Sequence, residues 1–71
     1  MTKQIENIRN FVLQHKAYFL EKGGVDIPTV RRKYRSVEGI SIDRKDTTEA
    51  LIEMRKDGLL TTNWKTPENG V

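Results

Sequence analysis

The sequence contains no cysteine and only one histidine among its 71 residues. Disulfide bonds, thiolate zinc sites and cysteine nucleophiles are therefore excluded together. With His15 alone, we expect neither a histidine-based metal site nor a Ser-His-Asp triad. The spacing also offers no paired carboxylates in an apolar context and no glycine-rich loop that would cradle a phosphate. The sequence thus predicts a protein that is not an enzyme and that holds no metal, cofactor or small-molecule ligand.

Long apolar runs are missing as well. No segment approaches the length of about 18 apolar residues that a membrane span requires, and the N-terminus lacks the apolar core of a signal peptide. We therefore expect a soluble chain that does not enter a membrane. Its expected location is the cytoplasm, or the nucleus if its source is eukaryotic.

The short length favours a single domain over residues 1–71. Independent domains usually take about 100–200 residues, and a chain this short buries only about 60% of its unfolded surface. Charged residues make up 32% of the sequence and apolar residues 35%. The apolar residues nevertheless occur in patterned segments, which indicates a small folded domain rather than a disordered chain.

Positive charge is concentrated in one part of the chain. The net charge is +3, but residues 31–45 hold six basic and two acidic residues, so this segment carries +4 and the rest of the chain −1. A local basic block can form a patch for phosphate groups. A solvated helix face has the same composition, so both readings stay open for the residues Arg31, Arg32, Lys33 and Arg35.

The N-terminal third is predicted to be one long amphipathic helix from Thr2 to Lys22. Apolar residues and His15 fall on one face at 100° per residue: Ile5, Ile8, Phe11, Val12, His15 and Phe19. We expect His15 to be a core-edge residue rather than a ligand or a base. Gly23-Gly24 is expected to close the helix, because glycine adopts the left-handed conformation at little cost. Leu13 and Leu20 form a second ridge that is suited to a dimer seam.

The middle of the chain is predicted to contain a short strand and two helices. The triplet Val25-Asp26-Ile27 alternates as a strand does, and Pro28 then favours a helix start, for a helix from Pro28 to about Ser36. A loop is expected over Glu38 to Ile42. Asp43 is a plausible N-cap for a third helix from about Arg44 to Asp57, which Gly58 ends.

The C-terminal residues have the composition of a β-hairpin. Leu59 to Lys65 is rich in strand-forming residues, and Asn69-Gly70 is a strong hairpin-turn signal. Only Val71 follows the turn, so either the chain ends in a stub or it is a domain of a longer protein. We expect Trp64 to cover the core rather than to stack on a base.

This order of elements, together with the run LIEMRKDGLL at residues 51–60, resembles the winged helix-turn-helix domains of MarR- and GntR-type regulators. The architecture agrees over most of the chain, and residue-level similarity covers about residues 43 to 60. The resemblance implies a mainly α fold with a small β component: a three-helix winged helix-turn-helix with a short or truncated wing. The long connection between the second and third helices and the missing second wing strand depart from the family pattern.

The resemblance implies a DNA-binding module of a transcriptional or replication-type regulator, with double-stranded DNA as its partner. The third helix (about 44–57) would lie in the major groove. Its base-contacting candidates are Arg44, Lys45, Thr47 and Thr48, and the candidates for phosphate contacts are Arg31, Arg32, Lys33, Arg35 and Lys65. The acidic residues Glu49, Glu53 and Asp57 would repel DNA, so only the first one or two turns would enter the groove.

Two alternatives belong to other functional classes. Many winged-helix domains bind proteins through the same surfaces, so the chain is alternatively a protein–protein interaction module without nucleic-acid binding. RNA binding is a third option, although Tyr34 is the single aromatic residue within the basic block. If DNA is the partner, specific binding would require a homodimer or attachment to other domains of a longer parent protein.

Overall fold

The computed structural model describes residues 3–61, which form four α-helices and, within these bounds, no strand. The helices are α1 (Lys3–Gln14), α2 (Lys16–Glu21), α3 (Ile27–Glu38) and α4 (Arg44–Lys56). The mainly α class predicted from the sequence is therefore confirmed. Most of the predicted wing, residues 62–71, lies outside the described residues.

The predicted N-terminal helix is divided in two at His15. This residue has φ −110° and ψ 25°, which interrupts the helix between α1 and α2. The prediction of one continuous helix from Thr2 to Lys22 was wrong because the apolar pattern runs through the break without a change of period. In α2, Phe19 is fully buried and Tyr18 is half-buried.

The segment between α2 and α3 consists of the C-terminal cap of α2 and the N-terminal cap of α3, and it is not a strand. Gly24 N–H donates to the Phe19 carbonyl at 2.9 Å, which closes α2 in a Schellman motif with Gly23 at φ 92°. Asp26 caps α3, since its carboxylate accepts the Thr29 N–H at 2.8 Å. The predicted strand at Val25-Asp26-Ile27 is therefore corrected: its central residue is an N-cap, and Ile27 is the first residue of α3.

Both ends of α4 agree with the signals in the sequence. The Asp43 carboxylate accepts the Asp46 N–H at 2.7 Å, as expected for an N-cap. After Lys56, Gly58 adopts φ 77° and the Leu59 N–H donates to the Met54 carbonyl at 2.9 Å. This second Schellman motif turns the chain back toward the core, where Leu60 is buried. Leu59 and Leu60 lie in this bend and not in the predicted strand.

The core lies between α4 and the helices α1 and α3, with residues from α2 and the loops completing it. From α4 it takes Thr47, Ala50, Leu51 and Met54, and from α1 Ile5, Ile8, Phe11 and Val12. The remaining buried apolar residues are Phe19, Val25, Val30, Tyr34, Ile42 and Leu60. At the surface, Arg9 and Asp57 form an ion pair of 2.7 Å that joins α1 to the C-terminal end of α4.

Within residues 3–61, no helix has the length and apolar character that crossing a membrane requires.

Replacing Asp43 tests whether its carboxylate stabilises the start of α4. We expect Asp43→Ala to lower the free energy of unfolding by about 1 kcal/mol, because the cap to the Asp46 N–H is lost. Asp43→Asn keeps an acceptor oxygen and is expected to stay close to wild type. Urea unfolding followed by circular dichroism measures both; equal stability of the two variants would contradict the cap.

Candidate nucleic-acid interface

Three of the basic residues predicted to contact phosphates lie together on one side of α3. Arg31, Arg32 and Arg35 line a groove of about 250 Å³, whose other wall is formed by Ser41 and Ile42 of the loop before α4. All three arginines are exposed. We call this feature the arginine groove. It concentrates three guanidinium groups beside the N-terminal end of α4.

One of these guanidinium groups is held in place by the backbone. The Arg31 Nε–H donates to the Ile42 carbonyl at 3.0 Å, which links α3 to the loop that leads into α4. A guanidinium is planar and carries five N–H donors, so fixing Nε also fixes the plane in which the other donors lie. Arg31 therefore has a structural role, and it presents an oriented cation to the arginine groove.

Lys33 lies on a different side of α3 from the three arginines. Its Nζ is 4.1 Å from the centroid of the Tyr18 ring on α2, a distance typical of a cation–π contact. The separation follows from the helical period: two residues correspond to about 200°, so Lys33 and Arg31 lie on nearly opposite sides. Of the four basic residues of α3, the structure brings together three and directs the fourth to α2.

The residues at the start of α4 divide into exposed and buried ones. Arg44 and Lys45 are exposed, and Thr48 is half-buried with its hydroxyl donating to the Arg44 carbonyl at 2.7 Å. Thr47 is fully buried, and its hydroxyl donates to the Asp43 carbonyl at 2.7 Å. The prediction of Thr47 as a base-contacting residue is therefore corrected, because the turn of the helix places it in the core.

Arg44 and Arg55 lie on one flank of α4 and Glu53 on the other, with the exposed Lys45 and Lys56 on the face between them. At 100° per residue, Arg44, Thr48 and Arg55 fall within about 40° of one another. Glu53 lies about 160° away from Arg55 on the helix. It lines a groove with Ile5 of α1, which places the acidic flank on the α1 side. The basic flank thus faces away from α1, toward the side on which α3 packs.

The single histidine packs against Phe11 of α1. His15 is half-buried, and its ring centroid lies 4.4 Å from that of Phe11. Phe11 in turn packs on Tyr34 at 4.8 Å. This arrangement agrees with the expectation of a histidine at the edge of the core.

Two residues of the arginine groove were not predicted from the sequence. Ser41 and the Ile42 carbonyl form its second wall, and nothing in the residue spacing indicated that this loop would return to α3. Lys65, the remaining predicted phosphate contact, and Trp64 lie outside the described residues. Among the residues that the structure does describe, no group of three or more potential metal ligands occurs.

Comparisons of the chain with protein-family models, with curated proteins and with solved structures find no match.

The burial of Thr47 can be tested through stability. Thr47→Val keeps the shape of the side chain but removes the buried hydrogen bond to Asp43, so we expect a loss of about 1 kcal/mol in the free energy of unfolding. Thr48→Val removes an exposed hydroxyl and is expected to change stability less. Chemical denaturation compares the two; an equal effect of both substitutions would contradict the placement of Thr47 in the core.

Proposed function

We propose that the chain is a DNA-binding module of a transcriptional or replication-type regulator, in which α3 and α4 act as the helix-turn-helix pair of a winged-helix-like domain. The observation that carries the proposal is the arginine groove beside the start of α4. Three cations that face one surface suit the phosphate backbone. The exposed Arg44 and Lys45 at the start of α4 are then the candidates for contacts to base edges.

The connection between α3 and α4 supports this pairing. Because α3 continues to Glu38, the link to α4 consists of residues 39–43. This link is shorter than predicted, because the sequence pattern predicted an end of the second helix at about Ser36. It begins with Gly39 at φ 71° and ends with the capping residue Asp43. Helix-turn-helix motifs use a turn of about 3–4 residues that often contains glycine. The observed link is therefore close in length to such a turn.

In this proposal the first two turns of α4 read base edges in the major groove. The planar fork of Arg44 suits the O6 and N7 acceptors of guanine, a pairing worth about 1–3 kcal/mol of discrimination. Lys45 would bind guanine or a phosphate. Since the Thr48 hydroxyl already donates to the Arg44 carbonyl, its methyl group is the part that would contact a thymine methyl.

A single module of this size should bind DNA weakly. With only a few phosphate contacts, the expected non-specific Kd is about 10⁻⁴–10⁻⁶ M at physiological salt. Specific recognition would then require a second copy on a neighbouring half-site about one helical turn away, or attachment to other domains. Leu20 of α2, 46% exposed, is available for such a dimer contact.

Two substitutions on α3 distinguish DNA binding through the arginine groove from an effect of net charge on DNA binding. Arg35→Gln and Lys33→Gln each remove one positive charge, but only Arg35 lines the groove. We expect Arg35→Gln to weaken duplex binding and to reduce the salt dependence by about one phosphate contact, with little change for Lys33→Gln. Fluorescence anisotropy of a labelled duplex at about 50 and 200 mM salt measures both. Equal effects would contradict the groove as the contact.

The role of α4 is tested by reversing the charge of Arg44 and Lys45 together. We expect the double variant Arg44→Glu/Lys45→Glu to lose duplex binding, because both residues lie at the end of α4 that would enter the groove. If the folded variant binds as tightly as wild type, α4 is not the recognition helix. If wild-type protein that is confirmed to be folded shows no duplex binding even at low salt, the interaction-module alternative replaces this proposal.

A further inference from the structure

Arg31 differs from the other two arginines of the arginine groove because its side chain is bound to the backbone. Its Nε–H donates to the Ile42 carbonyl at 3.0 Å, across the space between α3 and the link to α4. The guanidinium groups of Arg32 and Arg35 make no hydrogen bond or ion pair with another residue of 3–61. Since Ile42 also lines the groove, its contact with Arg31 holds that guanidinium at the groove wall.

The bond to Ile42 leaves most of the Arg31 guanidinium available to a ligand. It uses one of five N–H donors. The other four belong to Nη1 and Nη2, and within residues 3–61 they have no hydrogen-bond partner. Because the guanidinium is planar, the contact at Nε also fixes the plane of these donors. Their outward-facing pair can therefore bond two oxygens of one phosphate group from a prepared position.

Ser41 adds an uncharged donor to the same groove. Its side chain is exposed and lines the groove, and its hydroxyl makes no hydrogen bond with another described residue. A serine hydroxyl can donate to a phosphate oxygen. Because Ser41 directly precedes Ile42 in the chain, the contact between Arg31 and Ile42 holds this hydroxyl near the guanidinium.

The acidic residues nearest to the groove in the chain are engaged elsewhere. Glu38 lines a different groove, together with Asn10 and Gln14 of α1. The Asp43 carboxylate accepts the Asp46 N–H at 2.7 Å as the N-cap of α4. Within residues 3–61, neither Glu38 nor Asp43 forms an ion pair with an arginine of the groove or lines it. No described carboxylate therefore occupies the place of an anionic ligand.

We propose that Arg31 determines the selectivity of the arginine groove for phosphate: its Nε stays on the Ile42 carbonyl while Nη1 and Nη2, with the Ser41 hydroxyl, bind one phosphate group. Lysine cannot replace Arg31, because an ammonium group cannot bond that carbonyl and also hold two phosphate oxygens with a planar fork. At positions 32 and 35, which have no such backbone contact, lysine suffices. The inference rests on the proposed function only in taking the DNA backbone as the source of the phosphate.

A phosphate suits this groove better than a carboxylate does. A guanidinium fork binds either group through two oxygens, but the groove also offers two further arginines and a hydroxyl. A carboxylate has two oxygens and one charge, which Arg31 alone would satisfy. The DNA backbone presents successive phosphates, so Arg32 and Arg35 can neutralise the neighbours of the one that Arg31 holds. An acidic peptide is therefore the disfavoured ligand.

The experiment is a titration of the ¹⁵N-labelled full chain, followed by NMR of the arginine side chains at constant ionic strength. The three ligands are sodium phosphate, sodium acetate and a short DNA duplex. We expect phosphate and duplex to shift the Nη signals of Arg31 in a saturable manner while its Nε–H stays hydrogen-bonded, and acetate to bind more weakly. An Arg31 that only joins α3 to the link would show no response at Nη.

Matched variants identify the residues that matter. Arg31→Lys is expected to weaken phosphate and duplex binding by about 2- to 5-fold, the worth of one surface ionic hydrogen bond. Arg35→Lys also keeps its charge but has no backbone contact to lose, so it should stay close to wild type. Ser41→Ala should weaken binding, whereas Ser36→Ala, at an exposed serine of α3 outside the groove, should not. Circular dichroism confirms that each variant is folded.

Three results would overturn the proposal. The first is that Arg31→Lys binds phosphate and duplex as tightly as Arg35→Lys does. The second is that the Arg31 Nη signals respond to neither ligand. The third is that acetate binds as tightly as phosphate at the same signals, which would assign the groove to a carboxylate ligand such as an acidic peptide.

Failure of DNA binding gives a different pattern. If phosphate binds through Arg31 and the duplex does not bind, the proposed function is wrong, and Arg31 selects phosphate from a source other than DNA. If the duplex binds and Arg31→Lys matches Arg35→Lys, the DNA-binding proposal holds and the role assigned to Arg31 is wrong.

Discussion

The buried face of α4 is the constraint on which the remaining structure depends. Thr47, Ala50, Leu51 and Met54 pack into the core between α1 and α3, so the rotation of α4 about its own axis is determined by burial. Once this face is inside, the helical period assigns every other residue of α4 to a flank. The basic flank with Arg44 and the acidic flank with Glu53 then lie on opposite sides of the helix.

The two ends of α4 are held by contacts of different kinds. At the N-terminal end, Asp43 caps the helix and the adjacent Ile42 carbonyl accepts a hydrogen bond from Arg31. At the C-terminal end, the Schellman motif at Gly58 returns the chain to the core, and Asp57 pairs with Arg9 of α1. The arginine groove adjoins the start of α4, so these contacts position it.

Local signals in the sequence predicted the helix ends at Gly23, Asp43 and Gly58, but not the N-cap at Asp26 or the interior of the first helix. Asp43, Gly23 and Gly58 act as expected because capping involves only a few neighbouring residues. The break at His15 was missed because apolar periodicity continues through it. The prediction of a strand at Val25-Asp26-Ile27 was wrong. A buried residue (Val25), an N-cap (Asp26) and the first residue of a helix (Ile27) give the same apolar-polar-apolar pattern as a short strand.

The sequence by itself determined that this is a small, mainly helical domain with a concentrated basic segment, since composition and spacing require no knowledge of distant contacts. Composition and spacing do not distinguish Thr47 from Thr48, or Lys33 from Arg35, as surface contacts. Only the tertiary structure decided which of these side chains lie at the surface, because the burial and the direction of a side chain depend on which neighbouring helix packs against its side of the helix. Packing buried Thr47 and directed Lys33 to Tyr18, and it folded the loop that follows α3 back against the three arginines.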